Sequence, residues 1–415
     1  MVKRIVADYT STTREFTPNA RLFLISALLS WIGLAVNQVV FNLYLVSGGY
    51  AADFVGAVTS MMGLGMAATA LPAGWLADRF GRRACLRAGA LVVAVGLLTR
   101  ALSLSPGALF ASTLLIGAGQ ALITIAASPF MSENSNEFER THLFSMHFVV
   151  ILIGGLLGNL MGGELPGLFE RHLHGLAPSP LLSYRAALIV GALASALAVW
   201  PLGLVREAPL HEREVHPTAR ARDHAGLLGR LALNFLLMGM GAGLIMPFFN
   251  LYFAQRYGAT AGQIGLYFSV AQVITLLATL SGPLIARRYG KLHALTLLQL
   301  VSLPFLITLG FETTLAVSVA AFWMRSAFMQ MSSPLLTSFA MEIIPPALRA
   351  RAQAIDNMGW YLGWAVSSAI SGWIMARFGF AWPYYLTAVC YGVATLTFWW
   401  NFRERPTRRG SPAPA

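Results

Sequence analysis

A few polar and ionisable side chains interrupt the apolar runs of this chain, and each needs a reason to be there. Arg325 stands in the middle of the apolar run 314–341. A guanidinium offers a planar fork of donors to an anionic or carbonyl group, and placing one at mid-membrane costs about 2.5–3.5 kcal/mol. Either a substrate takes those donors or neighbouring helices do. Met329, Ser332 and Ser333 continue its face at helical spacing. Gln120, Thr124 and Ser128 recur at i, i+4 and i+8, a polar stripe on one helix. Asn37, Gln38, Asn42, Asn234 and Asn250 lie in two further runs. Side chains of this kind line a wet cavity or bond helix to helix. Two groups near the inner ends of their apolar runs could carry a proton: His147, whose ring titrates near neutral pH when unperturbed, and Asp356. For His147 the competing reading is simple packing.

That repertoire suits reversible binding and proton exchange, not covalent catalysis. No G-x-x-x-x-G-K-[ST] loop, H-E-x-x-H or G-x-S-x-G stretch occurs. His172 and His174 form an isolated H-x-H. Cys85 and Cys390 suggest neither a disulfide framework nor a metal site. No cofactor is expected, and no enzymatic activity.

The elements that must position these residues follow from composition. Of the 415 residues, 56% are hydrophobic and 11% charged, against about 25% charged in soluble domains. A spanning helix needs about 20 apolar residues. Twelve such segments are predicted: 22–46, 54–77, 84–103, 107–131, 142–163, 183–205, 230–254, 262–285, 292–310, 314–341, 352–376 and 380–402. The expectation is an all-α, multi-pass membrane protein with no cleaved leader. With both termini cytoplasmic, 23 of the 29 Lys and Arg fall on the cytoplasmic side, as the positive-inside rule requires. Arg100, Arg171, Arg185, Arg256 and Arg377 are then placed outside or at the outer edge. The net charge of +12 reflects this topology, so nucleic acid is not an expected partner.

The longest polar stretch between spans, 206–229, separates an N-terminal bundle (1–205) from a C-terminal one (230–415). The bundles repeat each other at an offset of 208–209: FNLYL at 41–45 recurs as FNLYF at 249–253, Glu133 and Arg140 as Glu342 and Arg349, and Gly154 and Gly163 as Gly363 and Gly372. GWLADRFGRR at 74–83 recurs in part as GPLIARRYGK at 282–291, without the acid. Duplication of this kind is a hallmark of secondary transporters, whose substrate sites lie between the copies.

The decad resembles the G-x-x-x-D-R-x-G-R-R signature of the major facilitator superfamily, carried here by Gly74, Asp78, Arg79, Gly81, Arg82 and Arg83. With twelve spans and a degenerate second copy, the resemblance covers nearly the whole chain. It is closest to the drug/proton antiporter branch, whose span 5 pattern G-x-x-x-G-P-x-x-G-G is matched by Gly154, Gly158, Gly162 and Gly163, with Asn159 in the place of proline. The same glycines also suit plain helix packing. The exporters' span 4 arginine is replaced by Thr113, ahead of Gly117 and Gly119.

The resemblance implies twelve helices in two pseudo-symmetric six-helix bundles, with spans 1, 4, 7 and 10 lining a central cavity. It implies substrate contacts at Gln38, Gln120, Thr124, Asn250, Arg325 and Met329. It implies an inner gate of Gly74, Asp78, Arg79, Gly81, Arg82, Glu133 and Asp356, in which Asp78 meets the N-terminus of span 11 and Arg82 reaches Glu133. His147 or Asp356 would carry the proton. For Asn42/Asn250 and Tyr44/Tyr252 a framing role competes with substrate contact. The expected function is alternating-access efflux of amphipathic or drug-like compounds across the cytoplasmic membrane, coupled to an ion gradient, by a monomer in the lipid bilayer. Uptake of a small organic solute, anionic or neutral, and a non-transporting sensor of the same fold are the alternatives.

Overall fold

The computed structural model describes residues 16–172, 179–206, 224–311, 313–345 and 348–403. His174 and most of the 206–229 linker lie outside them. Twelve long helices run through the described residues, numbered as spans 1–12: Pro18–Ser47, Ala52–Phe80, Arg82–Leu102, Pro106–Glu133, Glu137–His172, Pro180–Leu197, Ala225–Ile245, Ala261–Tyr289, Lys291–Gly310, Leu315–Ile343, Arg349–Phe378 and Ala381–Phe402. Lipid offers no partner to a peptide group, so each segment must close its own ladder as a helix.

Nine of the described helices are long and apolar enough to cross a membrane. Spans 10–12 fall outside that group. Trp, Tyr, Ser and Gly are frequent in them, and Arg325 interrupts span 10. Such residues lower apolarity without shortening the helix.

Most helices run past the predicted apolar stretch. Span 5 has 36 residues against the 22 predicted from hydropathy, because its polar ends continue the helix beyond the hydrocarbon. Two spans are interrupted. Span 6 continues after Ala198 as a short helix, Val199–Leu204. Span 7 passes through a 3-10 turn at Met246–Phe248 and resumes as Phe249–Tyr257. Pro247 lies in that turn, where its missing N–H breaks the α-helical ladder. Starts are marked by proline in the first turn of spans 1, 4 and 6. At span 1 the Thr17 hydroxyl accepts from Ala20 N at 3.2 Å, a side-chain cap.

The turns into spans 3 and 9 are the same turn twice. Gly81 has φ 91° and ψ 157°, and Gly290 has φ 78° and ψ 154°. This region belongs to glycine alone, which explains why the glycine survives in both decads.

The chain packs as two compact units. Unit 1 holds the described residues of 1–212 together with 247–273 and 368–376; unit 2 holds those of 213–246, 274–367 and 377–415. The ends of spans 7, 8 and 11 that the charge asymmetry assigns to the outside therefore pack with spans 1–6. Outer and inner keep that sense here. At the inner end of unit 1, Phe23, Leu86, Ala126, Phe130 and Leu143 belong to one buried cluster. In unit 2, Leu231, Leu295, Phe339 and Phe398 belong to another.

Alanine at Gly81 or Gly290 is expected to cost about 1–3 kcal/mol in backbone strain and to lower the unfolding temperature in detergent. Gly74→Ala is the control, since a Cβ there would meet nothing within 4 Å. Equal melting of Gly81→Ala and Gly74→Ala would contradict the assignment of Gly81.

Candidate functional site

Within unit 1 the two copies of FNLY face each other at the outer end. Asn42 Nδ2 donates to Pro247 O at 2.6 Å and to Asn250 Oδ1 at 2.9 Å. Asn250 Nδ2 donates to Val39 O and Gln38 O, each at 3.0 Å. Adding the 208-residue offset to 39 and 42 gives 247 and 250, so the bonds are reciprocal: each asparagine takes the carbonyl three residues before its counterpart. The break at Pro247 opens its carbonyl to such a donor. Both asparagines are buried.

Glycine pairs repeat the same symmetry. A Cβ built on Gly56 of span 2 would lie 2.7 Å from both Gly372 Cα and Ser368 O of span 11. A Cβ on Gly163 of span 5 would lie 2.9 Å from Ala261 O and 3.2 Å from Gly265 Cα of span 8, while one on Gly265 would lie 2.9 Å from Gly163 Cα and against Asn159 O. Shifted by 209, Gly56 and Ser368 become Gly265 and Asn159. Two crossings of bare backbone thus flank the asparagine pair, and together they form an outer clasp. The rest of the span 5 pattern packs on span 1: Gly154 against Leu28 and Trp31, Gly158 against Ile32 and Ala35, Gly162 against Val36.

Arg100 keeps its predicted outer-edge place, in the last turn of span 3, but it is buried there. Arg100 is 7% exposed, hydrogen-bonded to Asn37 Oδ1, with its guanidinium 4.0 Å over the Phe41 ring. A bond acceptor and a ring face draw the charge inward, where a loop charge would have turned to water. Beside it Tyr44 donates to Ala101 O at 3.2 Å and accepts from Arg185 Nε at 3.3 Å. These contacts tie spans 1, 3 and 6 behind the clasp. Tyr252, the repeat mate of Tyr44, is also fully buried.

Unit 1 also has a polar open face. Gln38 is exposed although it sits in mid-helix between buried Asn37 and Val39. Thr124 and Ser128 are exposed and Gln120 is half-buried. An uncompensated polar group facing hydrocarbon is unfavourable, so these side chains suit a water-filled or substrate-filled space. Asn250, predicted beside them as a substrate contact, is instead occupied in the clasp.

In unit 2, Arg325 is 2% exposed and is the largest fully buried side chain. Its charge lies close enough to Tyr391 of span 12 to act on that side chain. Met329 is half-buried, with Ser302 Oγ 3.8 Å from its sulfur. Gln299 bridges three spans: its Oε1 accepts from Thr395 Oγ1 at 2.8 Å and its Nε2 approaches Ser332 Oγ at 3.5 Å. Ser332 is buried, whereas Ser333 is exposed, so the predicted continuous face divides. Asp356 is 2% exposed, and its Oδ1 has no hydrogen-bond partner among the described residues.

At the inner end Arg82 binds two acids, Asp78 Oδ1 at 2.7 Å and Glu133 Oε1 at 3.5 Å. The second copy keeps half of this: Lys291, the counterpart of Arg82, pairs with Glu342, the counterpart of Glu133. Arg79 takes no part in the Arg82 ion pairs; it is exposed, 5.1 Å from the Trp75 ring and 5.6 Å from that of Phe80. His147 packs on Phe23, ring centroids 5.1 Å apart, the geometry of a packing residue. His172 bonds Leu168 O in its own helix. No cluster of three metal-ligating side chains occurs among the described residues.

Sequence reading missed Gln299, Gly56 and Gly265. The last two were recoverable, since they match each other at the repeat offset. Gln299 carries no such signal.

The sequence model of the Major Facilitator Superfamily matches residues 23–228 and 231–415. A putative sugar efflux transporter of Deinococcus radiodurans is 29% identical over 198 residues, 45% of this chain and 47% of that protein, so the match spans about half of the relative's length. A bacterial homologue of the human lysosomal transporter Spinster, solved inward-facing and unoccupied, superposes with a TM-score of 0.77 at 15% identity, covering 95% of this chain and 98% of that one. A D-xylose–proton symporter superposes with a TM-score of 0.75 at 18% identity, covering 95% and 99%. At these identities the two structures establish the fold.

Removing the clasp should expose the site from outside. In a Cys85→Ser, Cys390→Ser background with Gln38→Cys as reporter, Gly265→Leu is expected to raise labelling by an impermeant maleimide several-fold. A double-mutant cycle of Asn42→Ala and Asn250→Ala is expected to give a coupling of about 1 kcal/mol in detergent melts. Unchanged labelling together with zero coupling would remove the clasp.

Proposed function

The chain belongs to the major facilitator superfamily and is a secondary membrane transporter; from that premise we propose that it exports a small, hydrogen-bonding amphipathic solute from the cytoplasm by alternating access, driven by a proton gradient. The observation that carries this reading is the reciprocal clasp of Asn42 and Asn250 flanked by the Gly56–Gly372 and Gly163–Gly265 crossings. It joins segments of the two copies within unit 1 through short polar bonds and bare backbone, which can part as a unit. The clasp is the outer gate. The Arg82 ion pairs with Asp78 and Glu133 belong to the inner gate, where Asp78 faces the N-terminus of span 11 once the cavity turns outward.

Gln38, Gln120 and Thr124 are the substrate contacts of the first copy, and Met329 and Arg325 those of the second, with Arg325 opening from Tyr391 during the cycle. Sugars fall within this solute class, in keeping with the name of the Deinococcus relative. Efflux is favoured by the antiporter-like glycines, since Gly163 forms one clasp crossing. Asp356 is the proton carrier; a carboxyl that is alternately covered and uncovered links proton exchange to the cycle. Its burial favours this role over His147, which packs on Phe23. The same carboxyl would also serve proton-driven uptake, the second reading, and the sign of flux separates the two. Both termini lie in the cytoplasm, the copies divide at 206–229, and a monomer suffices.

In proteoliposomes, solute counterflow is expected, and an imposed pH gradient should drive net movement of solute toward the acidic side. Collapsing the gradient without effect would exclude proton coupling, and ligand binding without flux would favour a sensor. Asp356→Asn is expected to lower gradient-driven flux by about a hundredfold while retaining counterflow; equal loss of both would make Asp356 structural. Arg325→Ala should abolish counterflow, and normal transport by Arg325→Ala and Arg325→Lys would remove it as a contact.

A further inference from the structure

We propose that the inner end of span 3 carries a binding site for the phosphate of an anionic phospholipid. A cavity of about 480 Å³ lies there, lined by Arg83, Ala84, Arg87, Ala88 and Leu91. Among the described residues its lining has two guanidinium groups and no acidic side chain. Arg83 and Arg87 are one helical turn apart and share a face. Ala84 and Ala88 are exposed, and their short side chains leave the depression between those arginines and the next turn. Arg83 is oriented by a bond from its Nη2 to Gly203 O at 2.6 Å, and the Arg87 guanidinium also lies beside Gly203, so the end of the Val199–Leu204 helix helps to hold both arginines. The neighbouring acids Asp78 and Glu133 are bound by Arg82.

What continues from the cavity decides between a free anion and a lipid. Below Leu91, at spacings of four and three, come Val95, Leu98 and Leu102. These four side chains are 52%, 48%, 38% and 58% exposed. They form one apolar stripe along the span, in line with Arg83 and Arg87. A dissolved phosphate has no use for such a stripe. A phospholipid sets its phosphate between the arginines and lays an acyl chain along it. The site sits at the membrane face assigned to the cytoplasm, where anionic lipids concentrate and each basic side chain adds about fivefold to affinity.

The test is native mass spectrometry of the purified full chain, titrated with phosphatidylglycerol or phosphatidylcholine. Phosphatidylglycerol should remain bound in preference to phosphatidylcholine. Arg83→Gln with Arg87→Gln should weaken phosphatidylglycerol by about thirtyfold and leave phosphatidylcholine unchanged. Ala88→Trp keeps both charges, fills the cavity and should also weaken it; this variant carries the test if the arginine pair proves necessary for folding. Arg230→Gln, an exposed inner-face arginine elsewhere, should have no effect, and excess inorganic phosphate should not displace the lipid. Full retention by either cavity variant, equal loss with Arg230→Gln, or displacement by phosphate would overturn the proposal.

Discussion

A peptide group in hydrocarbon cannot fall back on water, and the structure depends on that fact. It forces every span into a helix with its own ladder closed. Helices so satisfied have little to offer one another beyond shape and a few polar side chains. Contacts between the two copies must therefore come either from backbones brought close or from side chains that reach a carbonyl already in use. The clasp uses both. Glycine lets spans 2 and 11, and spans 5 and 8, touch along the main chain. Asn42 and Asn250 each borrow a carbonyl from the opposite span. Because both devices are symmetric, they satisfy the two copies equally.

The inner end follows the opposite logic. Ion pairs there join a turn glycine's helix to the end of a span within the same copy: Arg82 with Glu133, Lys291 with Glu342. The first copy adds Asp78 and the second does not, since Arg287 stands at the corresponding place. Charge belongs where water remains, and close backbone belongs where it does not. The chain binds Arg100 into the protein, where an unpaired charge would be costly.

Much of this was legible in residue order. Twelve spans, the charge asymmetry, the duplication, and the reach of Arg82 to Glu133 could be read before any coordinates, because each depends on hydropathy, charge or a short motif. The framing role for the asparagine pair was already one of two open readings. Other features were not legible. Helical spacing places Gln299 and Asn250 on a face, yet a face turned to lipid and a face turned to another helix have the same composition. Asn250 read as a cavity residue for that reason, and the burial of Arg100 at the outer edge stayed hidden. The division between Ser332 and Ser333 was equally hidden, since adjacent positions differ by about 100° around the axis and only a neighbour decides which is covered.

The sequence alone determined the number of helices, their copy relation and the chemistry available at each depth. Hydrophobic length and charge are sums over residues, and no partner is needed to evaluate them. Tertiary structure decided which polar groups meet. Pro247 offers its carbonyl only because span 7 breaks there and Asn42 arrives opposite; Gly56 matters only because Gly372 crosses it. Those are relations between residues more than 200 or 300 positions apart, set by the rotation of each helix about its own axis. In lipid nothing in a single helix specifies that rotation.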